Sequence, residues 1–292
     1  MNKFSLTLIA LLAALATLGA ASASAAPGAA TVTVNGPAAN GYFSTVPSLT
    51  FTTGGQPTER SCVLTGPGAF ESEDGCTSPF KPLSSLPDGA YTYSVNVSND
   101  NGGDTGTRNF NIDHTAPQLT MLSGVSDGTV GNSRTASYKL SYSDANLASV
   151  TCKSDSNTPN PCGSGGIIEI TYDMINDGTH TYTFTAADKA GNVSTVVRTL
   201  TVDTIKPSAG IAVVGGGSES RDNTPAFQTS GSDASGAVTK QCSIEGQIDW
   251  TACNNDTWVV NDGVADGFIT AWVAVSDKAG NTAFASYSFT LD

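Results

Sequence analysis

Cysteine recurs in this chain with a fixed period. Cys62, Cys152 and Cys242 lie 90 residues apart, twice over, and each is followed 10 to 14 positions later by a second cysteine: Cys76, Cys162 and Cys253. That period is longer than the roughly 20–50 residues of a solenoid repeat, so each copy must bury a core of its own. Two cysteines in every self-contained copy select the pairing Cys62–Cys76, Cys152–Cys162 and Cys242–Cys253. Zinc is the competing use of cysteine. It needs four clustered ligands, only His114 and His180 could supplement the pairs, and the chain has no Cys-x-x-Cys hook. The segments between paired cysteines are polar and lack apolar alternation: Glu71 to Gly75, Asp155 to Pro161, and Gln247 to Ala252. The bridges are therefore expected to pin an exposed hairpin or edge loop rather than to join two sheets.

A turn-and-strand block follows each pair. It reads Pro87-Asp88-Gly89-Ala90-Tyr91-Thr92-Tyr93, then Asn176-Asp177-Gly178-Thr179-His180-Thr181-Tyr182, then Ala265-Asp266-Gly267-Phe268-Ile269-Thr270-Ala271. Asp-Gly marks the turn and the alternation beyond it marks a half-buried strand. A second turn comes next: Asp188-Lys189-Ala190-Gly191-Asn192 and Asp277-Lys278-Ala279-Gly280-Asn281, with Asp100-Asn101-Gly102-Gly103 in the first copy. A closing strand then ends at Asp113, Asp203 and Asp292. In the second copy the strands are expected near 118–122, 135–142, 147–153, 167–172, 178–187 and 195–202, with a seventh short edge strand within 154–165. Composition agrees, since Thr and β-branched aliphatics suit strands, while Gly, Asn and Asp suit turns.

The predicted architecture is all-β: three tandem immunoglobulin-like β-sandwich domains at 28–113, 114–203 and 204–292, after a signal peptide at 1–25. The motif order resembles the bacterial Ig-like repeats of extracellular adhesin-type proteins. The shared parts are the early cysteine, the polar loop, the second cysteine, Asp-Gly-x-x-x-Tyr/Phe, Asp-x-x-Gly-Asn and a final Val-Asp-x-x-x-Pro. The resemblance implies surface display, adhesion, protein or carbohydrate contacts, or plain spacing. Vertebrate Ig domains differ, with distant cysteines and a tryptophan between them. Here Trp250, Trp258 and Trp272 all lie in the third copy.

The leader has a basic Lys3, an apolar run Phe4–Ala21 and the small-x-small site Ala23-Ser24-Ala25, which predicts bacterial-type export with cleavage after Ala25. No later stretch approaches the roughly 20 apolar residues of a membrane span. The end at Asp292 carries no apolar tail, so the expected location is secreted, cell-surface or periplasmic. Beyond the leader 12 basic residues face 26 acidic ones, and such a chain repels nucleic acid and anionic membranes.

Catalytic patterns are missing. Two histidines in all serve no serine triad: His114 lies in a linker, and His180 is expected in a strand, facing solvent beside Tyr182. Glu71, Glu73 and Asp74 read as a solvated turn rather than a glycosidase pair. Gly215-Gly216-Gly217 lacks the Lys-Ser/Thr of a phosphate cradle. The leading expectation is a non-enzymatic adhesion or recognition protein that contacts a protein or glycan on a cell or matrix surface. The competing one is a structural spacer or self-assembling subunit without a ligand, in which Ala30–Asn35 could act as a donor strand. Short linkers bearing Pro117 and Pro207 predict an extended rod. Trp250 and Trp258, around the third disulfide loop, are the candidate contact residues, with core filling as the alternative.

Acidic residues also follow the repeat. Asp113 and Asp203 end closing strands, Asp100, Asp188 and Asp277 begin turns completed in two copies by Asn192 and Asn281, and Asp144 and Asp233 occupy Ser-Asp-Ala turns. Calcium takes six to eight oxygens, which carboxylates, amides, carbonyls and water together supply. These positions are the candidate calcium ligands, and the family resemblance points the same way. Ordinary turn-making and strand-capping is the alternative use of such residues.

Overall fold

The computed structural model describes residues 28–82, 85–215, 219–220, 224–260 and 263–292. The expected signal peptide at 1–25 lies outside the described residues, as do Gly216 and Gly217 of the glycine run. By compactness the chain divides in two, one unit ending at Asp113 and the other running His114–Asp292.

The first unit contains β1 (Thr31–Gly36), β2 (Gly41–Phe43), β3 (Thr50–Gly54), β4 (Glu59–Gly66), β5 (Ala69–Asp74), β6 (Gly89–Asn99) and β7 (Gly102–Ile112). They form a two-stranded sheet β1-β3 and a five-stranded sheet β2-β7-β6-β4-β5, antiparallel except for the parallel edge pair β2/β7. Ala30–Asn35, weighed as a donor strand, supplies β1 and pairs with β3 from Thr31↔Gly54 onward.

The second unit repeats the plan twice. Its first half has β8 (Gln118–Gly124), β9 (Thr129–Gly131), β10 (Ala136–Ser143), β11 (Leu147–Ser154), β12 (Asn160–Pro161), β13 (Ile167–Tyr172), β14 (Gly178–Asp188) and β15 (Val193–Val202). Sheets β13-β10-β8 and β12-β11-β14-β15-β9 result. Its second half has β16 (Ser208–Val213), β17 (Glu219–Ser220), β18 (Ala226–Ser232), β19 (Thr239–Ile244), β20 (Ile248–Ala252), β21 (Thr257–Val259), β22 (Gly267–Ser276) and β23 (Thr282–Leu291), in sheets β16-β18-β21 and β17-β23-β22-β19-β20. Each five-stranded sheet has the same order: a short parallel edge, the closing strand, the Asp-Gly strand, the first-cysteine strand and a short edge hairpin.

The Asp-Gly turns start the longest strands because Gly89, Gly178 and Gly267 have φ of 140°, 130° and 131°, a region closed to other residues. Alternation then faces one row inward. Tyr91, Tyr93, Val95 and Val97 are buried on β6, Tyr182, Phe184 and Ala186 on β14, and Ile269, Ala271, Val273 and Val275 on β22. Each large side chain so buried contributes about 1.5–3 kcal/mol. Separate apolar clusters accordingly sit between each pair of sheets.

Three disulfides join Cys62–Cys76, Cys152–Cys162 and Cys242–Cys253, with Cα–Cα distances of 5.9, 5.7 and 5.8 Å. Each ties the first-cysteine strand to its neighbouring edge hairpin within one sheet. The polar stretches between them are partly strand rather than loop: β5, β12 and β20. Glu71, Glu73 and Asp74, read as a solvated turn, belong to β5, where Cys62 pairs with Glu73. Their polarity marks an exposed edge, and backbone ladder bonds make the strand regardless. The sulfurs lie inward: Cys62, Cys76, Cys152, Cys242 and Cys253 are all buried.

Candidate metal centre

Three chain segments deliver carboxylates to one spot inside the second unit. Asp203 follows β15, Asp233 follows β18 and Asp277 opens the β22–β23 turn. One oxygen of each lies within 4.8 Å of the others. Asp203 and Asp277 are nearly buried, at 9% and 8% exposure.

Local hydrogen bonds fix all three. Ile205 N donates to Asp203 Oδ1 at 3.0 Å, and Ser235 N donates to Asp233 Oδ1 at 2.7 Å with help from the Ser235 hydroxyl. Those Ser235 bonds, the hydroxyl first, hold the Asp233 carboxyl below the usual carboxylate range. Asn281 N donates to Asp277 Oδ1 at 2.8 Å and Asn281 Nδ2 to Asp277 Oδ2 at 2.7 Å. The same amide also donates to the Asp203 carbonyl at 2.7 Å, tying the end of β15 to the β22–β23 turn. Gly280, at φ 92°, lets this turn close.

At 4.8 Å and an effective dielectric near 20, two carboxylates repel by about 3.5 kcal/mol. Among the described residues no lysine or arginine pairs with any of the three. Three carboxylate oxygens this close, without a cationic side chain among them, could hold a hard cation such as calcium, with water and carbonyls needed to reach six to eight ligands. When bound, the ion would bridge the three segments and cancel their repulsion.

Within the second unit the turns of the preceding copy are built alike. Asn146 N donates to Asp144 Oδ1 at 2.7 Å, and Asn192 N and Nδ2 donate to Asp188 Oδ1 and Oδ2 at 2.8 and 2.7 Å. Asp113 is buried, and its N–H donates to the Phe43 carbonyl at 3.0 Å. Asp100 differs. It is exposed at the β6–β7 turn and joins no acidic cluster among the described residues, because that turn lacks the Asp-x-x-Gly-Asn sequence.

The tryptophans part ways. Trp258, on β21, is half-buried and stacks on Phe227 with ring centroids 5.4 Å apart, within the core of the third sheet pair. Trp250, on β20, is 44% exposed and meets the edge of Phe284 at 6.0 Å. Both stand on strands rather than in the loop between them.

His180 was expected to face solvent, and it does not. Its Nδ1 lies 2.9 Å from Asp155 Oδ2 and its Nε2 lies 2.9 Å from the Asn176 carbonyl. Both partners only accept, so the doubly protonated ring fits best, and the Asp155 bond raises the His180 pKa. Asp155 sits in the polar stretch before Cys162, which sequence order does not place beside β14.

Residues 117–204 match the sequence model of a family described as the bacterial Ig-like domain. The resemblance carried by the repeated motifs is thus matched by that family model over the second copy. No curated protein matches the chain. Similar solved structures include a tetra-tandem repeat from the extending region of a large adhesion protein. It is 20% identical over 90% of this chain and 74% of that one, with a TM-score of 0.34. A structure reported for host cell surface retention of a 1.5-MDa bacterial ice-binding adhesin is 20% identical, covering 90% and 96%, at TM-score 0.36. CbhA fibronectin(III)-like modules of Clostridium thermocellum are 11% identical, covering 60% and 94%, at TM-score 0.39. These scores are too low to carry a ligand or an activity across. Among the described residues no helix is long and apolar enough to cross a membrane.

Proposed function

We propose that this chain is an exported, non-catalytic adhesion and recognition protein. Its three self-contained modules would span 28–113, 114–203 and 204–292, and calcium would set the joint between the last two. The observation behind this reading is the convergence of Asp203, Asp233 and Asp277, one from the end of one sheet pair and two from the next. An ion held there restrains the joint and performs no chemistry. Three carboxylates are few for a calcium site, so the affinity belongs to the extracellular range of about 10⁻⁴ to 10⁻³ M.

A plain spacer would use the same joint. The exposed Trp250 favours recognition over it, since a spacer gains nothing from an aromatic ring held at the surface. Two measurements test the reading. Hydrogen exchange at the amides of 203–205 and 277–281 should slow in about 2 mM calcium relative to chelator. Unchanged exchange rejects the calcium joint. Retention of the purified chain on cell surfaces supports recognition, and a chain retained on no surface is a spacer.

A further inference from the structure

The outer face of the last five-stranded sheet carries aromatic rings on its central strands, where the Asp-Gly strands of the other two carry mainly hydroxyls. In the first sheet the exposed ring Phe70 stands on the edge strand β5, opposite Thr65. Alternation on β22 sends Ile269, Ala271, Val273 and Val275 inward and leaves Phe268, Thr270, Trp272 and Ala274 on the far side. In the ladder Phe284 stands opposite Ala274 and Ser286 opposite Trp272. Phe268 is 77% exposed and Phe284 60%. Trp250 reaches across from the edge strand to Phe284, with ring planes at 68°. Ala274, though on this outer row, is buried. On the equivalent strands stand Thr179, Thr181, Thr183 and Thr185 in β14, and Thr92, Ser94, Asn96 and Ser98 in β6. The fold does not require rings here.

Charge narrows the partner. In a chain of net charge −13, no Asp, Glu, Lys or Arg occupies the outer rows of β19, β22 and β23. These central rows therefore offer no charge to an ionic ligand. On the edge strand β20 that supplies Trp250 the neighbouring Asp249 is exposed, and the chain as a whole repels anionic polymers. Polar groups remain open for bonding. Among the described residues the Gln241 amide, the Ser286 hydroxyl and the indole N–H groups of Trp250 and Trp272 have no hydrogen-bond partner. Exposed rings interleaved with uncharged amide and hydroxyl groups suit a sugar, whose C–H faces stack on rings while its hydroxyls bond to the polar groups. From Phe268 to the level of Phe284 the row runs about 20 Å along the strand, long enough for several sugar units.

We propose that this face binds a neutral polysaccharide. The inference rests on the recognition reading and gives it a substrate class. The test is retention of the full mature chain on insoluble cellulose, chitin and starch, with alginate as the anionic control, for the wild type, Phe268→Ala and Phe284→Ala. The expected result is retention on at least one neutral polymer but not on alginate, weakened about tenfold or more by each substitution. Phe268 touches the surface only, so an unchanged melting temperature for its variant separates lost contact from lost folding. Absence of retention on every neutral polymer overturns the proposal, as does equal retention of both variants. Capture by immobilised protein alone, abolished by Phe284→Ala, assigns the face to a protein partner and also overturns it. Whole-cell binding that survives both substitutions refutes the glycan face and leaves the recognition reading standing. Failure of the wild type on cells and polymers alike refutes both.

Discussion

Replacing Asn281 with alanine should destabilise the unit His114–Asp292 by an amount the geometry sets. The side-chain amide is 8% exposed in its residue and makes two bonds, to Asp277 Oδ2 at 2.7 Å and to the Asp203 carbonyl at 2.7 Å. The bond from the backbone N–H to Asp277 Oδ1 survives the substitution. A hydrogen bond to a charged group contributes about 1.5–3 kcal/mol and a neutral one about 0.5–1.5. Losing both therefore costs about 2–4 kcal/mol, and water entering the cluster moves the figure toward the lower end. For a unit of this size 1 kcal/mol shifts the melting temperature by about 2–4 °C, so the drop should be about 4–16 °C. Scanning calorimetry in chelator, with wild type and variant side by side, measures it free of any ion. A drop of less than about 1 °C would refute the claim that this amide holds the joint together.

Three further outcomes follow from the same structure. Reduction should lower the melting temperature, since each bridge closes a loop of 11 to 15 residues and contributes about 3 kcal/mol on the chain-entropy model; intact mass should show six hydrogens missing from the oxidised chain, and free thiols would contradict the pairing. The raised His180 pKa adds stability that is complete below the unfolded value near 6.5 and fades as pH rises through the folded one, while Asp155, for which bonds from His180 and Thr181 outweigh the opposing effect of burial, adds stability lost as pH falls through its lowered pKa; NMR titration should show Asp155→Asn lowering the His180 pKa, and no change would break the pair. Trp258→Ala should cost roughly 2–4 kcal/mol through its stack on Phe227, against less than about 1 kcal/mol for Trp250→Ala; equal losses in urea denaturation would contradict this division.

Strand positions in the second copy were legible because each carries alternation between turn residues. The expected 167–172 coincides with β13, and 178–187 falls one residue short of β14. The seventh strand, sought within 154–165, is β12 at Asn160–Pro161. The parallel edge β9 escaped notice, since three residues cannot show a period. Side-chain partnerships were less legible. His180 and Asp155 lie 25 residues apart and meet only because β11 pairs with β14. The aromatic face was hidden for the same reason, with Trp250 and Phe284 on strands that are not neighbours in the sheet. One clue was present: Phe268 follows the Asp-Gly turn where the other copies have Ala90 and Thr179. A large ring at an outward position, where the repeat elsewhere keeps small or polar residues, is a surface signal.

Calcium titration calorimetry of the wild type against Asp233→Asn tests the central claim most directly. Asp233 is anchored by Ser235 within its own turn, so its substitution removes a carboxylate from the cluster without touching the Asn281 bonds. The wild type should bind calcium with a dissociation constant of about 10⁻⁴ to 10⁻³ M, and Asp233→Asn should weaken it about tenfold or more. A wild type that takes up no calcium at millimolar concentration, or a variant that binds as tightly as the wild type, would contradict the account.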